Sequence, residues 1–181
     1  MRMVKKRPAL IIGNPILLLP MWGLGSTAQA GIAGRVFLSP YWVPRKCTLD
    51  ELYYRLAVQS VSKHTRFGGY ADKGGTPVGG TLYFDTGDIL TETALQKLAS
   101  ITPNVVINRG LVWIAQETED TTMQFWRGTS NSYMPNAALA PMMDSCYFDL
   151  SPYGALPDPC PTVSSTSIRM AIVLHVASIN E

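Results

Sequence analysis

Residues 66–87, RFGGYADKGGTPVGGTLYFDTG, constrain the fold of this chain more than any other stretch. Two β-prone runs, Arg66 to Tyr70 and Thr81 to Phe84, enclose Gly74, Gly75, Pro77 and Gly79. Glycine supplies positive φ and proline a fixed φ, which is what reversing a chain between two strands requires. The segment therefore predicts a strand, a tight loop and an antiparallel return strand. It is no phosphate cradle: GGTPVGG lacks a GK[ST] ending, opens a strand rather than a helix, and has Lys73 as its one nearby cation.

The same alternation recurs elsewhere. Leu52, Tyr54, Leu56 and Val58 alternate with Tyr53, Arg55, Ala57 and Gln59, the period of a half-buried strand. Ile168, Met170, Ile172, Leu174 and Val176 alternate in the same way with Arg169, Ala171, Val173 and His175, predicting a long terminal strand over 167–177. Residues 35–44, RVFLSPYWVP, are rich in β-formers, and Pro40 and Pro44 point to an edge strand because neither can donate a ladder hydrogen bond. Leu111 to Ala115 (LVWIA) is apolar throughout and reads as a central strand with Trp113 in the core; residues 122–126 are its expected hairpin partner across an acidic turn at 117–120. Residues 91–100 fit either the one short helix of the chain, capped by Thr91 or Thr93, or a further strand. Six to nine short strands with almost no helix predict an all-β protein, an antiparallel β-sandwich of jelly-roll type.

Two segments stand apart. Residues 128–162 hold six prolines with Met134, Met142 and Met143, too apolar for a solvated linker, so this long excursion is expected to pack over a sheet or into an interface. Residues 1–30 have a basic start, an apolar stretch and Ala28-Gln29-Ala30, as a secretion signal has. Pro8, Asn14, Pro15 and Pro20 break the apolar run, and Ile16 to Leu19 falls far short of the about 20 residues of a membrane span. The expectation is an uncleaved extended arm over 1–24, laid along its own domain or a neighbouring subunit, followed by one sandwich domain over 25–181.

Composition narrows the function. With 46% apolar and 15% charged residues the chain is no disordered polymer, and a net charge of +2 without basic runs beyond the N-terminus argues against a nucleic-acid partner. Low charge on so apolar a chain points to surface covered by partner subunits. Cys47, Cys146 and Cys160 show no metal-ligand spacing and are expected as reduced thiols, with a Cys146–Cys160 disulfide the alternative. His64 reads as part of a polar turn over 60–65 and His175 as lying on the outward face of the last strand; neither belongs to a nucleophile or metal motif. Glu117, Glu119 and Asp120 read as a solvated turn rather than half of a glycosidase pair, and Asp85 and Asp88 lack the spacing of a calcium loop. No catalytic residue, cofactor or metal is expected. Trp126 and Tyr133, flanking the polar loop 127–132, are the ligand or interface candidates, either as a glycan-stacking platform or as a subunit contact.

In the order of its segments the chain resembles the β-sandwich domains of tailed-phage virion appendage proteins, of tail-fibre, tail-tip or head-fibre type. The segments are YWVP at 41–44, TLD at 48–50, RFGGYAD at 66–72 with GGTP at 74–77, RGLVW at 109–113, YGALPD at 153–158 and the last strand. The resemblance runs from about Gly25 to the end; the Met-rich excursion and the long segment 91–105 depart from it. It implies a non-enzymatic structural protein of the virion, assembled in the host cytoplasm with copies of itself, expected as a trimer, and with other virion proteins. A host-surface glycan is a further implied partner, with no nucleic acid and no membrane. Capsid decoration or a head fibre is the alternative location, and a secreted carbohydrate-binding module the alternative function.

Overall fold

The structure is a computed structural model and describes residues 16–18, 27–91, 96–127, 145–168 and 170–180. It is all-β, built from two antiparallel sheets packed as a sandwich. The strands in chain order are β1 (Ile16–Leu18), β2 (Thr27–Ala30), β3 (Arg35–Val43), β4 (Cys47–Val58), β5 (His64–Ala71), β6 (Leu82–Asp85) and β7 (Ile89–Leu90). They continue as β8 (Gln96–Ile107), β9 (Gly110–Thr118), β10 (Gln124–Arg127), β11 (Cys146–Asp149), β12 (Ser164–Ser165) and β13 (Val173–Ile179). The first sheet runs β1-β13-β4-β10-β2, with β8 also on β4. The second runs β12-β11-β3-β9-β5-β6, with β7 also on β5.

The main core lies between the sheets. Leu49, Leu52, Tyr54 and Leu56 of β4, Phe125 of β10 and Leu174 and Val176 of β13 meet Phe37, Tyr41 and Val43 of β3, Phe67 of β5 and Val112 and Ile114 of β9. The Tyr41 hydroxyl donates to the Ile172 carbonyl at 2.7 Å and so ties the two layers together. A second core lies on the far face of the second sheet. There Val36, Leu38, Tyr70, Trp113, Ala115 and, from β11, Cys146 and Phe148 are covered by Leu156 and Cys160. Two-sided burial explains why Leu111 to Ala115 is apolar without alternation. Residues 150–163 pack over that face, as expected of that part of the excursion, whereas 146–149 join the sheet itself as β11; residues 128–144, Tyr133 included, lie outside the described residues.

The hairpin of β5 and β6 forms as expected, with Gly68 opposite Asp85 and Gly69 opposite Phe84. Its loop also fastens the covering segment. Gly79 N–H donates to the Cys160 carbonyl and Cys160 N–H to the Gly80 carbonyl, at 2.9 and 3.0 Å. The alternation over 168–176 matches the burial of Met170, Ile172, Leu174 and Val176, but the strand proper begins at Val173. Ile16–Leu18, within the expected arm, pairs with β13 of its own chain and buries Leu18.

Three sequence expectations are corrected, and one left open is decided. β3 is an interior strand, paired with β9 from Val36 to Val43; β11 stops opposite Leu38, so on that flank no strand among the described residues reaches Pro40. Residues 124–127 do not form a hairpin with β9 but cross to the first sheet, between β4 and β2. Of the two readings left open around residues 91–100 the strand holds: residues 96–107 are one long strand on β4, because the face carrying Ala99, Ile101 and Ile107 is taken into the core. Finally, β9 extends through Thr118, and Glu117 is fully buried rather than part of a solvated turn.

Candidate functional site

The two sheets treat their outer faces differently. On the second sheet the covering segment encloses a polar cluster centred on Arg66. The Arg66 guanidinium donates from Nη1 to Asp85 Oδ2 at 2.9 Å and from Nη2 to Asp88 Oδ1 at 2.6 Å, with only 11% of its side chain exposed. Asp85 Oδ2 also accepts the Leu156 N–H at 3.1 Å, so the cluster holds the cover down. The Tyr153 ring lies 5.8 Å from the Arg66 guanidinium carbon. Asp85 and Asp88, considered as calcium ligands, thus serve as an arginine clamp, and the hydrogen bond from Arg66 holds Asp88 below the usual carboxylate range.

Glu117 sits opposite both Val36 and Arg66 on the neighbouring strands. Among the described residues neither of its carboxylate oxygens has a partner at hydrogen-bond geometry. Burial pushes its pKa up to about 7; the Gly154 amide and the Arg66 charge offset part of that, while Asp85 and Asp88 add to it. Glu119, one residue past the strand, behaves in the opposite way: His64 and Lys63 pair with it and lower its pKa. His64 is therefore the first residue of β5, held at a strand end.

The outer face of the first sheet carries side chains of a different kind. Between the core residues of β4, Tyr53 and Arg55 point outward. Arg55 lies over the ring of Trp126 at 5.1 Å from the centroid, and Tyr53 meets His175 edge-on at 6.2 Å. On β8, Leu98 and Val106 are 46% and 49% exposed. Trp126 is half-buried, Arg55 lies against its ring, and its Nε1 is buried without a hydrogen-bond partner among the described residues. That suits a packed contact better than an open sugar platform.

The same face holds one group with the donor set of a metal site. A bulge in β4 leaves Leu49 and Leu52 in the core and displaces the register at Asp50 and Glu51. His175 stands directly across from Glu51, and Asp50 Oδ1 lies 2.5 Å from His175 Nδ1. One ligand atom from each of Asp50, Glu51 and His175 lies within 4.8 Å of the others. Sequence spacing misses this group because 125 positions separate Asp50 from His175; only strand pairing brings them together.

The thiols of Cys47, Cys146 and Cys160 are free and buried, as expected. No family model, curated protein or solved structure matches the chain.

Proposed function

We propose that this chain is a non-enzymatic structural protein of a phage virion, a component of a tail fibre, spike or tip, that assembles with copies of itself through the outer face of its first sheet. The observation that carries the reading is the unequal finish of the two faces. The second sheet is covered by its own chain over a full apolar cluster, whereas the first presents Tyr53, Arg55, Leu98, Val106 and Trp126 outward. Tyrosine, tryptophan and arginine are the side chains on which interface energy concentrates. Pro103, exposed within β8, cannot donate a ladder hydrogen bond, and the register of β8 on β4 breaks between Leu49 and Glu51. Association at this edge therefore runs through side chains rather than through a continuous added strand. The segment order quoted above supports the virion assignment, and the apolar, weakly charged composition supports a covered surface.

Light scattering coupled to size-exclusion chromatography tests it. The wild-type chain is expected as a closed oligomer, and the double variant Leu98→Lys, Val106→Lys as a folded monomer. A wild-type protein that stays monomeric at about 100 μM, well above the micromolar dissociation constants of even modest interfaces, would remove the reading.

A further inference from the structure

We propose that Asp50, Glu51 and His175 bind one divalent transition-metal ion on the outer face of the first sheet. The triad is complete within one chain, so the inference does not depend on the assembly proposed above. In a regular strand Asp50 and Glu51 would face opposite sides. The bulge instead lets two consecutive carboxylates approach one histidine, and bulges commonly re-aim side chains in this way. The groups are also sheltered: the side chains of His175 and Asp50 are 18% and 26% exposed.

Charge favours an ion here. Two carboxylates beside one imidazole offer a divalent cation two anionic ligands, which balance its charge. The imidazole selects the kind of ion, since nitrogen with carboxylate oxygen suits zinc, cobalt, nickel or manganese better than calcium or magnesium. Binding replaces the hydrogen bond between His175 Nδ1 and Asp50 Oδ1 with a bond from each atom to the metal, and the bound imidazole carries its one proton on Nε2. Ligands about 2.0–2.1 Å from a tetrahedral zinc lie about 3.4 Å apart. The 2.5 Å contact therefore opens by about 1 Å as the ion enters, and Glu51 closes the third position. Water fills the remaining coordination.

The test is calorimetric titration of metal-stripped wild-type protein with Zn2+, Co2+ and Ca2+, with the visible spectrum of the Co2+ form recorded alongside. The expected result is one Zn2+ or Co2+ per chain, a tetrahedral or five-coordinate Co2+ spectrum, and a rise in Tm with added metal. Glu51→Gln is the decisive variant, because it removes a ligand without touching the Asp50–His175 contact. It should weaken Zn2+ at least tenfold while the metal-free Tm stays that of wild type, and His175→Ala should abolish the Co2+ spectrum. Absence of binding to wild type, unchanged affinity in Glu51→Gln, or Ca2+ binding as tightly as Zn2+ would each overturn the proposal.

Discussion

Glu117 gives the most direct physical test of the fold. Replacing it with glutamine keeps the shape of the side chain and removes the charge. In the folded protein its pKa stands at about 7 against an ordinary 4.5, because burial penalises the ionised form. The folded state therefore keeps a proton that the unfolded chain releases once the pH passes about 4.5. Stability from this group is fully present below that pH and is lost as the pH rises through about 7. At about 1.4 kcal/mol per unit the shift amounts to about 3 kcal/mol by pH 8. For a chain of this size that corresponds to a Tm difference of about 6–10 °C. Denaturant unfolding followed by tryptophan fluorescence, repeated from pH 4.5 to 8.5, should show wild type weakening across this range relative to Glu117→Gln, with the gap widest at pH 8. Glu119→Gln is the contrasting control: its carboxylate is held low by His64 and Lys63, so that variant should lose stability at neutral pH and leave the slope between pH 5 and 8 in place. If the wild-type and Glu117→Gln profiles run parallel over the whole range, the carboxylate is not buried as described and the account of the covered face fails with it.

Two further outcomes follow from the packing. Gly80→Ala would put a Cβ 2.1 Å from the Ala71 carbonyl oxygen and 2.8 Å from that of Pro77, both main chain; it should cost several kcal/mol and loosen the Cys160 clasp, whereas Gly74→Ala, with φ at +72° and open space around it, should cost only about 1–2 kcal/mol by urea titration. Burial pushes the thiols of Cys146 and Cys160 up to about 12 and that of Cys47 to about 11, so a thiol reagent at pH 8 should find almost none in the native protein and three per chain in denaturant; rapid native labelling, or fewer than three on unfolding, would contradict the free, buried cysteines.

What can be read in the sequence is local. The alternation of Leu52, Tyr54 and Leu56, the hairpin around residues 74–79 and the two-sided Leu111 to Ala115 each depend on neighbours along the chain, and each holds in the structure. The errors concern pairings whose partners lie far away. Pro40 argues for an edge, but a proline is tolerated in an interior strand where one flank of the ladder has already ended. Glu117 looks solvated because acidic residues follow it, and only the cover at residues 153–156 makes it buried. The Asp50, Glu51 and His175 group leaves no sequence spacing at all. It is made by a bulge, and a bulge is visible only once two strands are in register. Trp126 stands out in the sequence, yet the side chain that answers it, Arg55, sits on another strand.

The unequal faces tie these observations together. A sandwich needs only its inner faces buried, so closing the outer face of one sheet under Leu156 and Cys160 demands a segment long enough to cross it and anchors to hold it. The chain supplies both: the Gly79 and Gly80 clasp at one end and the Arg66 clamp on Asp85 and Asp88 at the other. The cover also seals in Glu117, a carboxyl whose burial favours the protonated form. Among the described residues no such closure lies over Tyr53, Leu98 and Val106, and their face carries the bulge that gathers Asp50, Glu51 and His175 instead. A segment committed to keeping one face dry, with aromatic and aliphatic side chains outward on the other among the described residues, fits the proposed association through that second face. The oligomer measurement and the metal titration address that face by independent routes, one through Leu98 and Val106 and one through Glu51.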